Sequence, residues 1–256
     1  MRAAFGVFWK ALQYWADEAI LLVQLNALWF LAQLLIVPGP PATAALMTIT
    51  NRMAHGELVY WRDAWLAFRR HFWKAWRWGV LNLIFIGVLA YNYIYYTGNM
   101  SGILLQAAAV TWALMIATWV AVQLYWWPLI LETPGMPVWL SLRNAVRMAS
   151  AHLLFTAVLV FLALLLTALS VLTVAPALMM TASILALMAN HATLDRLAIY
   201  RQLRVRAHAD GAEDIDELLA LEGIEEKERP VVVPRAPKPR ARRARSKGAR
   251  GRARRR

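Results

Sequence analysis

Residues 19–36 read AILLVQLNALWFLAQLLI, and Val37-Pro38-Gly39-Pro40-Pro41 follow at once. A bilayer core is crossed by roughly 20 mostly apolar residues at about 1.5 Å rise each. The run is therefore read as a membrane span over about 19–37. Proline has no amide donor and disfavours helix in the residue before it. Three prolines in four positions thus predict that the span stops and the chain turns. A helix restarts from Ala42, with Pro41 suited to its first turn.

Four further apolar runs follow, over about 79–97, 103–131, 153–174 and 177–194, the last two separated by Ala175-Pro176. Composition agrees with them. The chain of 256 residues is 60% hydrophobic, against roughly 45–50% in soluble domains. The expected fold class is all-α, a polytopic integral membrane protein with about five transmembrane helices. The first run is longer than the apolar core of a secretory leader and more spans follow it, so it is read as a span and not as a cleaved leader. The absence of cysteine excludes disulfides, a thiolate nucleophile and any cysteine-based metal site.

Charge divides the chain into three parts. The last 28 residues, 229–256, hold 13 Lys or Arg and no acid, so the remaining 15 basic residues balance all 15 acidic ones. Residues 1–194 form the transmembrane domain, 195–228 a cytosolic helical segment, and 229–256 a Pro-, Ala- and Arg-rich tail that cannot bury a core and is expected to be disordered. Lys and Arg crowd the 38–78 connection and the tail, with Arg143 and Arg147 between spans three and four, while the loop around 98–102 has none. The positive-inside rule places the charged connections and the tail on the cytoplasmic face of the membrane. Alternation then puts the residues before the first span outside, or inside if that segment fails to cross.

Within 57–78, Trp61, Ala64, Trp65, Phe68, Phe72, Ala75 and Trp76 recur at helical spacing, with Arg62, Arg69, Arg70, Lys74 and Arg77 on the other faces. Such a helix lies at the inner surface, its rings in the acyl boundary and its cations on anionic lipid headgroups. A weaker copy occupies 137–149. The stretches WLAFRRHFWKA (65–75) and WLSLRNAVRMA (139–149) align without gaps, which suggests a duplicated unit of span, break, amphipathic helix and span.

The intramembrane polar residues Asn26, Asn82, Gln106 and Gln123 are expected to bond across helices. Thr43 is read as a cap on the restarted helix, with anion binding at exposed amides as the sharper alternative. No hydrolase, metalloprotease, phosphate-loop or dinucleotide motif is present, and His55-Gly56-Glu57 lacks the cysteines a deaminase zinc site needs. No catalytic residue, metal or cofactor is expected.

The stretch NALWFLAQLLIVPGPPATAALMTITNRMAHGE followed by AWLAFRRHFWKAW resembles the bacterial YesL family of small integral membrane proteins. The resemblance rests on Asn26 and Trp29 in the first span, on Pro41, Ala42, Thr43 and Ala45 at the turn, on Arg52 in the basic helix, and on the pair Phe68 and Phe72. It covers roughly residues 5–205 and implies a link to carbohydrate uptake, without implying a reaction. The expected function is that of a non-enzymatic accessory or regulatory component for transport or the envelope, with transporter subunits and the lipid bilayer as partners. The alternatives are a small solute transporter or channel, and binding of anionic lipid or of RNA and the ribosome by the tail.

Overall fold

A computed structural model describes residues 2–99, 101–173 and 177–209. The tail, and its expected disorder, lie outside the described residues. Those described form α1 (Arg2–Asp17), α2 (Ala19–Leu34), α3 (Gly39–Ala54), α4 (Trp61–Asn99), α5 (Ile103–Glu132), α6 (Val138–Ala151) and α7 (Leu153–Thr173). A π-helical turn, Ala177–Thr181, then leads into α8 (Ala182–Ala209). The all-α class expected from the sequence is the one found.

Among the described residues three helices, α4, α5 and α7, are long and apolar enough to cross a membrane, and α1 and α2 make a fourth crossing if they count as one broken span. The sequence reading expects about five. Two segments account for the difference. Helix α2 has 16 residues, about 24 Å, and meets α1 at a bend of 99°. The segment 177–194 enters α8, where Ile184, Leu187, Met188, Asn190 and Thr193 are all buried by protein. An interior helix reads as apolar for the same reason a span does, because neither faces water.

Helix α4 also departs from expectation. The amphipathic stretch and the second span are one continuous helix of 39 residues, about 58 Å long and nearly twice the roughly 30 Å hydrocarbon core. Its first half therefore continues the direction of the span and does not lie flat as a separate surface helix. Ala64, Ala67, Ala75 and Gly79 are buried, and this strip of small residues packs on α3. The second copy differs: α6 stops at His152, which is non-helical, before α7 begins. The repeated sequence thus forms one joined pair and one broken pair.

Helix α3 sits inside the bundle, against α4, α8, α2 and α5. Its C-terminus follows a Schellman pattern. Gly56 takes φ +74, its N–H donates to Met53 O at 2.8 Å, and Glu57 N–H donates to Arg52 O at 3.0 Å. The outer halves of α4 and α5 stand apart from the rest of the protein. Of their most apolar 18-residue windows, 6% and 0% are buried, so those side chains face outward, as lipid-facing residues do. Tyr93 and Tyr96 pack on Trp112 near the far end of this pair, where rings suit a headgroup level.

Candidate functional site

The polar side chains of the bundle gather on α3 and its neighbours. At its N-terminal end, the Trp29 indole of α2 donates to Thr43 Oγ1 at 2.9 Å. Gln33 Nε2 donates to the same oxygen at 3.1 Å and to Gly39 O at 3.2 Å, and Thr43 Oγ1 donates to Gly39 O at 3.1 Å. Thr43 is thus not the cap of the helix. The helix starts at Gly39, its N-cap position is Pro38 with no side-chain cap, and Thr43 bonds back within its own first turns. Pro40 and Pro41 fall in that first turn, where their missing N–H groups leave no orphan donors.

One turn further into α2, buried Asn26 accepts from the Ser183 backbone N–H at 3.0 Å, at the start of α8. The Trp15 indole donates to Ser183 Oγ at 3.2 Å. Asn26 therefore ties α2 to the junction of the π-turn and α8.

The C-terminal end of α3 carries a cluster that sequence spacing does not reveal. Asn51 Nδ2 donates to Glu132 Oε1 at 2.9 Å and to Asn190 Oδ1 at 3.1 Å. Asn190, fully buried, donates to Thr50 Oγ1 at 3.0 Å, to Met47 O at 3.2 Å and to Ala186 O at 3.0 Å. His55 Nε2 lies 2.9 Å from Glu132 Oε1, and Arg201 Nη2 lies 3.9 Å from Glu132 Oε2. The Glu132 side chain is only 7% exposed and ends α5, where the helix dipole disfavours an anion. Asn51 and His55 at the end of α3 and Arg201 of α8 offset that cost. Glu132 thereby joins α3, α5 and α8.

Arg52 ties the adjoining turn. It pairs with Glu57 at 2.8 Å and with Asp63 at 3.1 Å. Asp63 also accepts from the Tyr60 backbone N–H at 2.9 Å, the reach-back half of a capping box for α4. The hydrogen bond to Glu57 holds the Arg52 guanidinium above its ordinary pKa, and the Tyr60 N–H, with Arg52 beside it, holds the Asp63 carboxyl below its own.

Between α4 and α5, Trp78 Nε1 donates to Gln123 Oε1 at 3.1 Å and Trp119 Nε1 to Asn82 Oδ1 at 3.1 Å. Gln123 also donates to Asn82 Oδ1, and Asn82 Nδ2 donates to Trp78 O at 2.9 Å. Asn26, Asn82 and Gln123 thus bond across helices. Gln106 is different: it is exposed, in the first turn of α5.

The expected lipid-contact residues divide by face. Trp61 and Trp65 are exposed, as are Arg62, Arg69, Arg70 and Arg77. Trp65 stacks on Phe68 at 5.5 Å, Phe68 meets Phe72 edge-on at 6.1 Å, and Phe72 meets Trp73 at 5.4 Å. An aromatic stripe therefore runs beside an arginine stripe on the outside of α4. Lys74 turns inward, donating to Met136 O at 3.1 Å. Ala45 is buried and Ala42 half-buried on α3.

Neither a curated protein nor a solved structure matches this chain. Residues 22–93, which hold Trp29, Thr43, Arg52, Phe68 and Phe72, match the model of the family described as "Protein of unknown function, DUF624".

Proposed function

We propose that this is a non-enzymatic accessory protein of the bacterial inner membrane that supports a carbohydrate transporter through helix and surface contacts. The observation that carries this reading is how the polar side chains of the bundle are used. Asn51, Asn82, Gln123 and Asn190 each bond to a side chain of another helix. A solute pathway needs such groups to point at the solute, and here they hold helices together. What remains for recognition is the outside of α4, where the Trp65–Phe68–Phe72–Trp73 stripe runs beside Arg62, Arg69, Arg70 and Arg77. Rings beside guanidinium groups suit anionic headgroups and the polar rim of a partner subunit alike. The link to carbohydrate comes from the YesL resemblance, which the match to a family of unknown function supports over residues 22–93. The proposed place of the tail is the cytoplasmic face.

Uptake measurements test the proposal. Cells lacking the protein should take up a carbohydrate more slowly, and a chain with Trp65→Ala and Arg69→Ala should restore uptake poorly. The purified protein in liposomes should pass no solute. Flux through the purified protein alone, lost in an Asn82→Leu/Gln123→Leu variant, would overturn the reading in favour of a transporter.

A further inference from the structure

The turn between α2 and α3 exposes four consecutive apolar residues, Leu34, Leu35, Ile36 and Val37. Ile36 has φ +62, an uncommon conformation for a β-branched residue, with a cost on the order of 1–3 kcal/mol. Its exposure is 69%. In water this turn combines backbone strain with a solvated apolar patch.

The backbone around the turn is suited to a medium without water. Leu35, Ile36, Val37 and Gly39 donate their N–H groups to Leu31, Gln33, Leu35 and Ile36 carbonyls, at 2.6 to 3.3 Å. Pro38, Pro40 and Pro41 have no N–H, and Ala42 donates to Pro38 O at 2.9 Å. Every amide from 35 to 42 is therefore bonded or absent. Two of the turn's carbonyls are met by side chains. Val37 O accepts from the Trp76 indole at 3.1 Å, and Gly39 O from Gln33 and Thr43. Irregular backbone is tolerated at membrane depth only when its polar groups are satisfied. Here the amide donors meet that condition through the three prolines and a set of local bonds.

Depth follows from the neighbours. Trp76 bonds Val37, and Pro40 lies against Gly79, so the turn sits beside the point where α4 passes from arginine-bearing to apolar sequence. Residues 80–99 run on past it, about 30 Å at 1.5 Å per residue. Helices α2 and α3 run antiparallel, since Trp29 meets Thr43 and Gln33 meets Gly39. Below the turn they share a level with Arg62, Arg69 and Arg70, which are exposed and belong outside the hydrocarbon. At the other end of α2, the 99° bend keeps α1 transverse to it. Tyr14 of α1 packs on His191, one residue from the Asn190–Asn51 pair.

We propose that the tip of the α2–α3 hairpin reaches the acyl boundary of the bilayer from the arginine-bearing face and returns to it, with Leu34, Leu35, Ile36 and Val37 against the end of α4's lipid-facing half. Helix α1 then lies on the same face as the α3–α4 connection, and the residues before α2 are inside, not outside as strict alternation of five spans requires. The chain between residues 18 and 55 makes no net crossing, and after α4, α5 and α7 the chain returns to the inner face through α8, within the bundle, where Asn190 and Arg201 meet the Asn51–Glu132 cluster. This holds whatever the protein's role in transport.

The absence of native cysteine makes the test direct. Single cysteines replace Ala3, Leu58, Ser101 and Ile36 in the full chain, with Leu35→Cys as a second turn variant should Ile36→Cys not fold. A membrane-impermeant maleimide on intact cells is expected to modify Ser101→Cys alone. After permeabilisation it should modify Ala3→Cys and Leu58→Cys as well, and neither turn cysteine. A fluorophore attached to the purified turn variant, in nanodiscs, should lose its emission to lipids quenched along the acyl chain and keep it in aqueous iodide. Labelling of Ala3→Cys and Leu58→Cys from opposite faces would overturn the proposal. So would modification of the turn by the impermeant reagent from either side, or quenching by iodide only.

Discussion

Gly79 of α4 lies against the ring of Pro40 at the start of α3. A Cβ on Gly79 would stand 2.8 Å from Pro40 Cγ and 3.0 Å from Pro40 Cβ. A pyrrolidine ring has little freedom to withdraw, so the contact fixes how near the two helices come. Gly79→Ala should destabilise the protein by about 1–3 kcal/mol through overpacking. Gly87, on the same helix, has nothing within 4 Å of its Cβ position. Gly87→Ala should be neutral or stabilising by up to about 1 kcal/mol, from helix propensity alone. Thermal unfolding in detergent distinguishes the two, and equal melting temperatures would remove the proposed close approach.

The clasp between α4 and α5 predicts non-additivity. Asn82 Oδ1 accepts from both Trp119 and Gln123, so losing either amide disturbs one shared network. Asn82→Leu and Gln123→Leu should each cost about 0.6–2 kcal/mol. The double variant should cost less than their sum by at least about 0.5 kcal/mol. A sum that adds exactly within error shows the two amides to be independent.

Much of the fold is legible in the sequence, and the failures share a cause. The prolines at 38, 40 and 41 announce the turn, and periodicity identifies the amphipathic half of α4. Nothing between Trp76 and Val80 marks a helix end, because Gly79 is retained within the helix for its lack of a side chain. Composition alone changes there, and composition does not break a helix. The place of helix α3 inside the bundle is obscure because its buried face uses small and polar residues such as Ala44, Thr50 and Asn51, whose partners lie far away in sequence. Asn51 meets Glu132 across 81 positions and Asn190 across 139. No local pattern encodes those meetings. Within the turn motif, Trp29 and Thr43 are readable as a pair of features, but their hydrogen bond depends on the antiparallel return of α3.

Asn190 provides a contrast between buried and local amides. It is fully buried and its Nδ2 reaches Thr50, Met47 and Ala186, while its Oδ1 accepts from Asn51. Asn190→Leu leaves Asn51 short of one acceptor and should cost about 1–3 kcal/mol. The side-chain amide of Asn92 bonds only back to Val88 O in its own helix. Asn92→Leu should therefore change the melting temperature little. Comparable losses from both would show that the cluster around Glu132 carries no special weight.

The last prediction concerns pH. His152, half-buried between α6 and α7, lies 2.7 Å by its Nε2 from the Tyr200 hydroxyl. Burial lowers its pKa below the ordinary 6.5, and Arg196 adds to that while Asp195 opposes it. The folded state thus favours neutral imidazole. Above 6.5 the histidine is neutral in both states and contributes no slope. As pH falls below 6.5 the unfolded chain takes up the proton first, so stability is lost until the folded state also protonates. Melting temperature should therefore drop as pH falls below about 6.5. His152→Gln retains a donor and acceptor for Tyr200 but cannot titrate, so it should remove part of that drop while leaving the value at pH 8 nearly unchanged. An equal drop in the variant would assign the pH dependence to other groups. A fall at pH 8 instead would show that the imidazole serves by its shape and not by its charge state.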